Sequence, residues 1–281
     1  MTLRLMLRGW PYPPGVEAEA PDLLPERLAS LARGAIEDRR VRLGREEVRV
    51  GDLFAIEGTP GDDLTLAGDL SAFARIGAGM SQGRLRIEGN AGIAAGAGMR
   101  GGRLEIDGDA GARAGEGMTG GVIVVRGSAG DDLGAPAPGG TRGADRGAIL
   151  VGGNTGARAG RRMRRGLIAI GGDAGPLAGT EMLAGTLVVA GRADEGAGTW
   201  MRRGTIVLGA GSPPSLPAFV PSGSGRFSFW SLYDEALRAA GARLPERWRA
   251  ARFRRFVGDR TGSGLGEILL PAPGDTMEGG G

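Results

Sequence analysis

Apolar residues fall in pairs one residue apart along most of this chain, and each pair lies between glycines. The pairs are Leu64/Leu66, Leu85/Ile87, Leu104/Ile106, Ile123/Val125, Ile149/Val151, Ile168/Ile170, Leu187/Val189 and Ile206/Leu208, which makes eight units. Alternation with period 2 over about five residues predicts a short strand with one face buried. The bracketing glycines predict turns, often at positive φ. Six methionines keep the same register: Met80, Met99 and Met118, then Met163, Met182 and Met201, with a step of 19 within each set.

A unit of this length cannot bury its own apolar side chains, so it must stack on its neighbours. The pattern predicts an all-β solenoid, a parallel β-helix of about eight coils. At about 4.8 Å per coil the stack is a prism on the order of 35 Å long. The methionine and Leu/Ile positions are expected to form apolar ladders inside it. Asp69, Asn90, Asp109, Ser128, Asn154, Asp173 and Arg192 follow the second glycine and predict a polar ladder at one corner. An α-helical solenoid is excluded, because the 57 glycines would each cost about 1 kcal/mol relative to Ala inside helices. Collagen is excluded because glycine is not every third residue.

The step from Met118 to Met163 is 45, two steps of 19 plus seven, so one coil lacks its methionine and carries an insertion. That insertion, about 134–146, includes Gly134-Ala135-Pro136-Ala137-Pro138-Gly139 and reads as a loop, either a surface excursion or a partner contact. The chain divides into an N-terminal cap (1–57), the coils (58–211) and a C-terminal tail (212–281). In the cap, Leu3–Leu7 alternates like a strand, and Leu23, Leu24, Leu28, Leu31 and Ile36 fit one face of a short helix. Val48–Glu57 reads as two strands around a turn. In the tail a helix-like run covers Ser231 to about Ala242, and a second run covers Pro245–Val257.

Composition removes whole classes of chemistry. Histidine and cysteine are both absent, so the commonest general base, thiolate nucleophiles and the usual transition-metal ligands are missing. No carboxylate cluster has metal-ligand spacing, and no metal or catalytic residue is assigned. All 35 basic residues are arginine and the formal charge is only +3, which does not fit a general nucleic-acid binder. No apolar run reaches the roughly 18 residues of a membrane span and no signal peptide is evident, so a cytoplasmic protein is expected.

The wording of the repeat, Gly-x-Gly-Met-x-x-Gly-x-Leu-x-Ile-x-Gly, resembles the C subunit of formylmethanofuran dehydrogenase, with the glutamate synthase β-helix a more distant likeness. Gly51-Asp52-Leu53-Phe54-Ala55-Ile56-Glu57-Gly58 resembles that family's lead-in to the first coil, and Phe253–Asp259 with Gly264–Leu269 its tail. The resemblance covers roughly residues 45 to 270 and implies a right-handed parallel β-helix serving a larger complex. It also implies partners: an amidohydrolase-like hydrolase, a formate dehydrogenase-like subunit and a formyltransferase. Such a complex moves a formyl group from tetrahydromethanopterin to a methanofuran analogue and, in the bacterial formyltransferase/hydrolase branch, releases formate. The Arg-only, Ala/Gly-rich composition favours that branch over a true formylmethanofuran dehydrogenase. This chain is then a non-catalytic scaffold subunit, with no cofactor of its own. A glutamate synthase-like module of an amidotransferase is the competing reading.

Two sets of residues are candidate contacts. Arg161, Arg162, Arg164 and Arg165 flank Met163, and Arg202 and Arg203 follow Met201 two coils on. They suit an acidic neighbour or the acidic side chain of a methanofuran-type cofactor, or else form a solvated face. Aromatics are scarce elsewhere and gather in the tail: Phe227, Phe229, Trp230, Trp248, Phe253 and Phe256. They either pack along the prism wall or anchor a partner. The methionines are read as interior filler.

Overall fold

The computed structural model describes residues 2–13, 15–210, 218–240 and 244–272, with Phe229, Tyr233, Ala236, Ala239 and Ala240 described by backbone alone. The first quarter holds β1 (Leu3–Leu7), β2 (Ala18–Glu19), α1 (Pro25–Leu28), α2 (Arg33–Glu37), β3 (Arg40–Leu43), β4 (Glu46–Arg49), α3 (Val50–Leu53) and β5 (Phe54–Glu57). The repeat supplies β6 (Asp63–Ala67), β7 (Phe73–Ala74), β8 (Arg84–Glu88), β9 (Arg100–Ile106), β10 (Gly120–Val125), β11 (Ala148–Val151), β12 (Leu167–Ile170), β13 (Thr186–Arg192) and β14 (Arg203–Ala210). The tail adds β15 (Val220–Gly225), α4 (Ser228–Ala240), a 3-10 helix (Glu246–Ala250), β16 (Phe253–Gly258) and β17 (Leu265–Pro271).

The protein is mostly β. Thirteen strands form one sheet in the order β15-β16-β17-β14-β13-β12-β11-β10-β9-β8-β6-β1-β5. From β1 to β17 across this order every pairing is parallel, and the register matches unit to unit: Leu85 beside Leu104, Ile123 beside Ile149, Leu187 beside Ile206. A second parallel ladder of single bridges links Leu70, Ala91, Ala110, Ala129, Thr155, Ala174 and Ala193. At a third place in six of the units Arg75, Ala94, Arg113, Asp132, Arg158 and Leu177 take positive φ, and each donates its N–H to a carbonyl of the following unit. Holding a non-glycine residue there costs on the order of 1 kcal/mol, and the inter-unit hydrogen bond opposes that cost. Glu116, itself buried, ties this corner across units through Arg75 at 3.5 Å and Arg113 at 2.6 Å.

The expected apolar ladder is in place. Met80, Met99, Met118, Met163, Met182 and Met201 are fully buried, among Leu and Ile of the alternating pairs. Each such side chain contributes about 1.5–3 kcal/mol by leaving water. In the unit that lacks a methionine, Ala144 takes the position: its carbonyl accepts from Arg164 N–H as the Met163 carbonyl accepts from Leu183 N–H. The insertion leaves and returns at this place, closed by Ala144 N–H donating to the Gly134 carbonyl at 2.8 Å. Glycine is needed opposite the methionines. At Gly185, with φ +93°, an added Cβ would lie 2.8 Å from Met163 Cε.

The polar corner is a continuous hydrogen-bond ladder. Asn90 accepts from Asp109 N–H at 2.9 Å, Asp109 from Ser128 N–H at 2.7 Å, and Ser128 from Asn154 N–H at 3.1 Å. Asn154 then accepts from Asp173 N–H at 2.8 Å, and Asp173 from Arg192 N–H at 2.7 Å. Short side chains that bond neighbouring backbone are what this corner requires.

Three expectations change and one holds in detail. The parallel run exceeds the eight repeat units, because β1 pairs with β6 and β17 with β14 as further rungs. The leucine-rich segment of the cap is not one helix but α1 and α2, separated at Ala29–Ala32. Val48–Glu57 does hold two strands around a turn, and that turn is the single helical turn α3. The run Pro245–Val257 splits into a 3-10 helix and β16, and α4 begins at Ser228 rather than Ser231. Ala242, the expected end of that helix, lies outside the described residues.

One-sided burial also holds for only part of the sheet. In β8 the outward residues Arg84 and Arg86 are exposed, whereas in β11–β13 both faces are largely buried. There the outward Leu150, Ala169, Val188 and Val207 form a second core with Trp230, Leu237, Trp248, Phe253 and Leu269. Among the described residues no helix is long and apolar enough to cross a membrane.

Candidate functional site

The six candidate arginines divide into an inner and an outer group. Arg162 grips Glu181 of the next unit with Nε at 2.6 Å and a terminal nitrogen at 3.0 Å. That guanidinium holds the Glu181 carboxyl below its ordinary value, with Arg161 and Arg202 adding to the pull. Arg161 lies 3.2 Å from Asp132, which Arg158 also holds at 2.8 Å. Burial acts to raise the Asp132 carboxyl, but the two arginines outweigh it and the carboxyl is lowered. Arg164 reaches Asp145 at 3.4 Å. Three of the six are therefore engaged in stapling neighbouring units.

Arg165, Arg202 and Arg203 are exposed, and no ion pair joins them to a carboxylate among the described residues. A fourth exposed arginine, Arg146, belongs with them. It precedes Ala148 by two residues as Arg165 precedes Leu167, and Ala148 pairs with Leu167. The missing methionine at Ala144 hides Arg146 from a count along the sequence. Counting two residues on from the methionine position in every unit is the signal that finds it.

The tail aromatics lie mostly inside the molecule. Trp248 and Phe253 are fully buried, and Trp230 and Phe256 nearly so. Trp230, Trp248 and Phe253 meet edge to face at 5.4–6.1 Å between ring centroids, a favourable aromatic arrangement. Trp230 also donates its indole N–H to the Trp248 carbonyl at 2.8 Å. Phe227 is half-buried beside this cluster, and the Phe229 side chain lies outside the described residues. These rings fasten α4 and the 3-10 helix to the outward face of β11–β14.

A cavity of about 1010 Å³ opens at the C-terminal end of the ladder, lined by Leu177, Asp194, Glu195, Trp200, Phe219 and Asp259 among others. Trp200 stands 62% exposed on its rim at φ +60°. Its backbone N–H reaches the buried Asp259 carboxylate at 2.8 Å, and Asp259 also accepts from Thr261 N–H at 2.8 Å and Thr261 hydroxyl at 2.7 Å. Burial alone would raise the Asp259 carboxyl, but the bonds from Thr261 and Trp200 hold it below its usual value. These three bonds tie the carboxylate to the chain at Trp200 and Thr261. No group of three His, Cys, Asp or Glu side chains among the described residues is arranged to hold a metal ion.

Comparison with known proteins gives two kinds of likeness, while no family model matches the chain. A chain in the X-ray crystal structure of the formyltransferase/hydrolase complex (FhcABCD) from Methylorubrum extorquens in complex with methylofuran is 35% identical, with a TM-score of 0.87. That likeness covers 96% of this chain and 99% of the other. The C subunit of the tungsten-containing formylmethanofuran dehydrogenase 2 of Methanothermobacter marburgensis is 32% identical, and that of Methanothermobacter thermautotrophicus 35%, each over 82 residues. These curated matches span 27% of this chain and 30% of the relative's length.

Proposed function

The chain belongs to the family of formylmethanofuran dehydrogenase C subunits, and from that premise we propose that it is the non-catalytic structural subunit of a formyltransferase/hydrolase complex. Such a complex moves a formyl group from tetrahydromethanopterin to a methanofuran-type cofactor and releases formate. The observation that carries this reading is likeness over nearly the whole of both chains to a member of a formyltransferase/hydrolase complex. The cofactor is bound elsewhere in the complex, and the partners are hydrolase, formate dehydrogenase-like and formyltransferase subunits. The two in-register ladders with a buried methionine row between them support closure into a right-handed parallel β-helix, a stiff prism with long faces for partners. Residues 1–57 act as its N-terminal cap and 212–281 as a tail that packs on the β-helix or a partner. In keeping with a structural role, the buried carboxylates Asp259 and Glu116 are engaged within the chain.

Native purification with mass spectrometry of what stays bound tests the proposal. Recovery of a hydrolase and a formyltransferase supports it, and a chain that elutes alone overturns it. The tungsten-enzyme relatives favour a second reading, the C subunit of a true formylmethanofuran dehydrogenase. Recovery of an active molybdopterin subunit with tungsten or molybdenum would select that reading instead.

A further inference from the structure

We infer that Arg146, Arg165 and Arg203 form a docking stripe for an extended acidic segment of a neighbouring subunit, an inference that rests on the proposed role as a subunit. The sheet register sets them in line. Ala148 pairs with Leu167, Leu167 with Thr186 and Thr186 with Thr205, and two residues before each stand Arg146, Arg165, Ala184 and Arg203. At about 4.8 Å per rung, Arg146 and Arg165 are neighbours and Arg203 lies two rungs beyond, about 14 Å from end to end.

The charge of this row is not neutralised within the described chain. Asp145 and Glu181, the carboxylates of the same corner, are taken by Arg164 and Arg162. Arg146, Arg165 and Arg203 are exposed, and Arg202 beside them adds a fourth positive charge. In the N-terminal half the same position holds Gln82, Gly101 and Gly120, so the stripe belongs to the C-terminal half alone.

The geometry selects the ligand. Three arginines spread over about 14 Å, with a gap at Ala184, do not cage a small anion. They match a chain. An extended peptide rises about 3.3 Å per residue, so four or five residues cover the row and every second side chain faces it. Carboxylates at those places would meet guanidinium groups in charge-assisted hydrogen bonds. Leu265, paired in register with Arg203 and 58% exposed, extends the row with an apolar contact suited to a polypeptide. Exposed charge of this kind sets partner choice and gives salt-dependent association.

The test uses the intact complex and the full-length chain carrying Arg146→Glu, Arg165→Glu and Arg203→Glu together. A control chain carries Arg45→Glu, Arg226→Glu and Arg247→Glu, the same change of net charge at other exposed sites. Subunit retention on a tagged copy of this chain is followed across a salt gradient, with thermal melting as the check on folding. The expected result is loss of a neighbouring subunit at lower salt than for wild type or control, equivalent to about a ten-fold or greater rise in dissociation constant. Retention equal to wild type overturns the stripe and leaves the subunit reading intact. So does equal loss in the control. A wild-type chain that retains no partner overturns both.

Discussion

The outward face of the long sheet changes character between β9 and β11, although the inward face does not. Over β8 and β9 it carries Arg86, Arg103, Glu105 and Asp107, paired with one another and with Arg126 from the adjoining end of β10. Over β11–β14 it carries Leu150, Ala169, Val188 and Val207, covered by α4 and the 3-10 helix. The inward residues, from Leu85 and Ile87 to Ile206 and Leu208, are buried throughout. The stack is therefore set by one face of each strand, and the other face is free to be wetted or to hold a second layer. The wet half gains only screened ion pairs. The dry half gains a second apolar core.

The largest expected effect follows from breaking the dry half. Trp248→Ala removes a fully buried indole from contact with Trp230 and Phe253, and a cost of about 3–5 kcal/mol is expected. The loss should be local, because the second core reaches the outward residues of β11–β14 and not those of β8 and β9. Hydrogen exchange should rise in α4 and β14 and stay unchanged in β8 and β9. Equal loss of protection in both halves would show that the second core supports the entire stack.

A smaller effect compares the two ends. At the first methionine unit Ser81 N–H finds no preceding unit at its corner and donates instead to Glu26 at 2.8 Å. At the last, Trp200 N–H donates to Asp259 where Glu181 N–H donates to the carbonyl of Thr199 in the next unit. Each carboxylate replaces the carbonyl of an absent rung. Asp259 is buried and accepts three bonds, and Asp259→Ala should cost about 1–3 kcal/mol by removing hydrogen bonds to a charged group. Glu26→Ala, at a half-buried site, should cost less. The Asp259 carboxyl is lowered in the folded chain, so its contribution is full above the unfolded value near 3.9 and is lost as pH falls through the lower folded value. Melting curves of wild type and Asp259→Ala should converge in acid. A gap that persists at the lowest pH where the chain folds would mean that packing, not the ionised carboxylate, is what the substitution removes.

Much of this could be read from the residues alone. The alternating pairs, the methionine register and the Asp/Asn/Ser corner all follow from the period, because each repeated side chain meets its own copy one rung away. What the period does not encode is what joins the ladder from outside it. β1 and β17 extend the parallel run with sequence that lacks the repeat, and Glu26 and Asp259 act as caps only through long-range placement. The covered half did leave a local signal. Ala148-Ile149-Leu150-Val151 and Leu167-Ile168-Ala169-Ile170 are continuous apolar runs, the mark of strands buried on both faces, whereas Arg84-Leu85-Arg86-Ile87-Glu88 alternates. Of the six candidate arginines, three staple units together because Asp132, Asp145 and Glu181 fall within reach only when neighbouring units stack.

The smallest effect lies in the wet half and sharpens the contrast. Asp107 lies between Arg86 at 2.8 Å and Arg126 at 2.9 Å, bridging three rungs. Burial acts to raise its carboxyl, but the hydrogen bonds from the two arginines outweigh it and the carboxyl is lowered. Both arginines are about half exposed, so solvent screens the pairs, and Asp107→Asn should cost no more than about 1 kcal/mol. Its contribution, like that of Asp259, is present above the unfolded carboxylate value and fades as pH falls through the lowered folded one. The two differ in their response to salt. Raising ionic strength should shrink the Asp107→Asn effect at neutral pH and leave the buried, hydrogen-bonded Asp259 cap nearly unchanged. Thermal melting in low and high salt reads this directly. An Asp107→Asn cost that matches Trp248→Ala, or that ignores salt, would mean that the charged face holds the stack as firmly as the covered one.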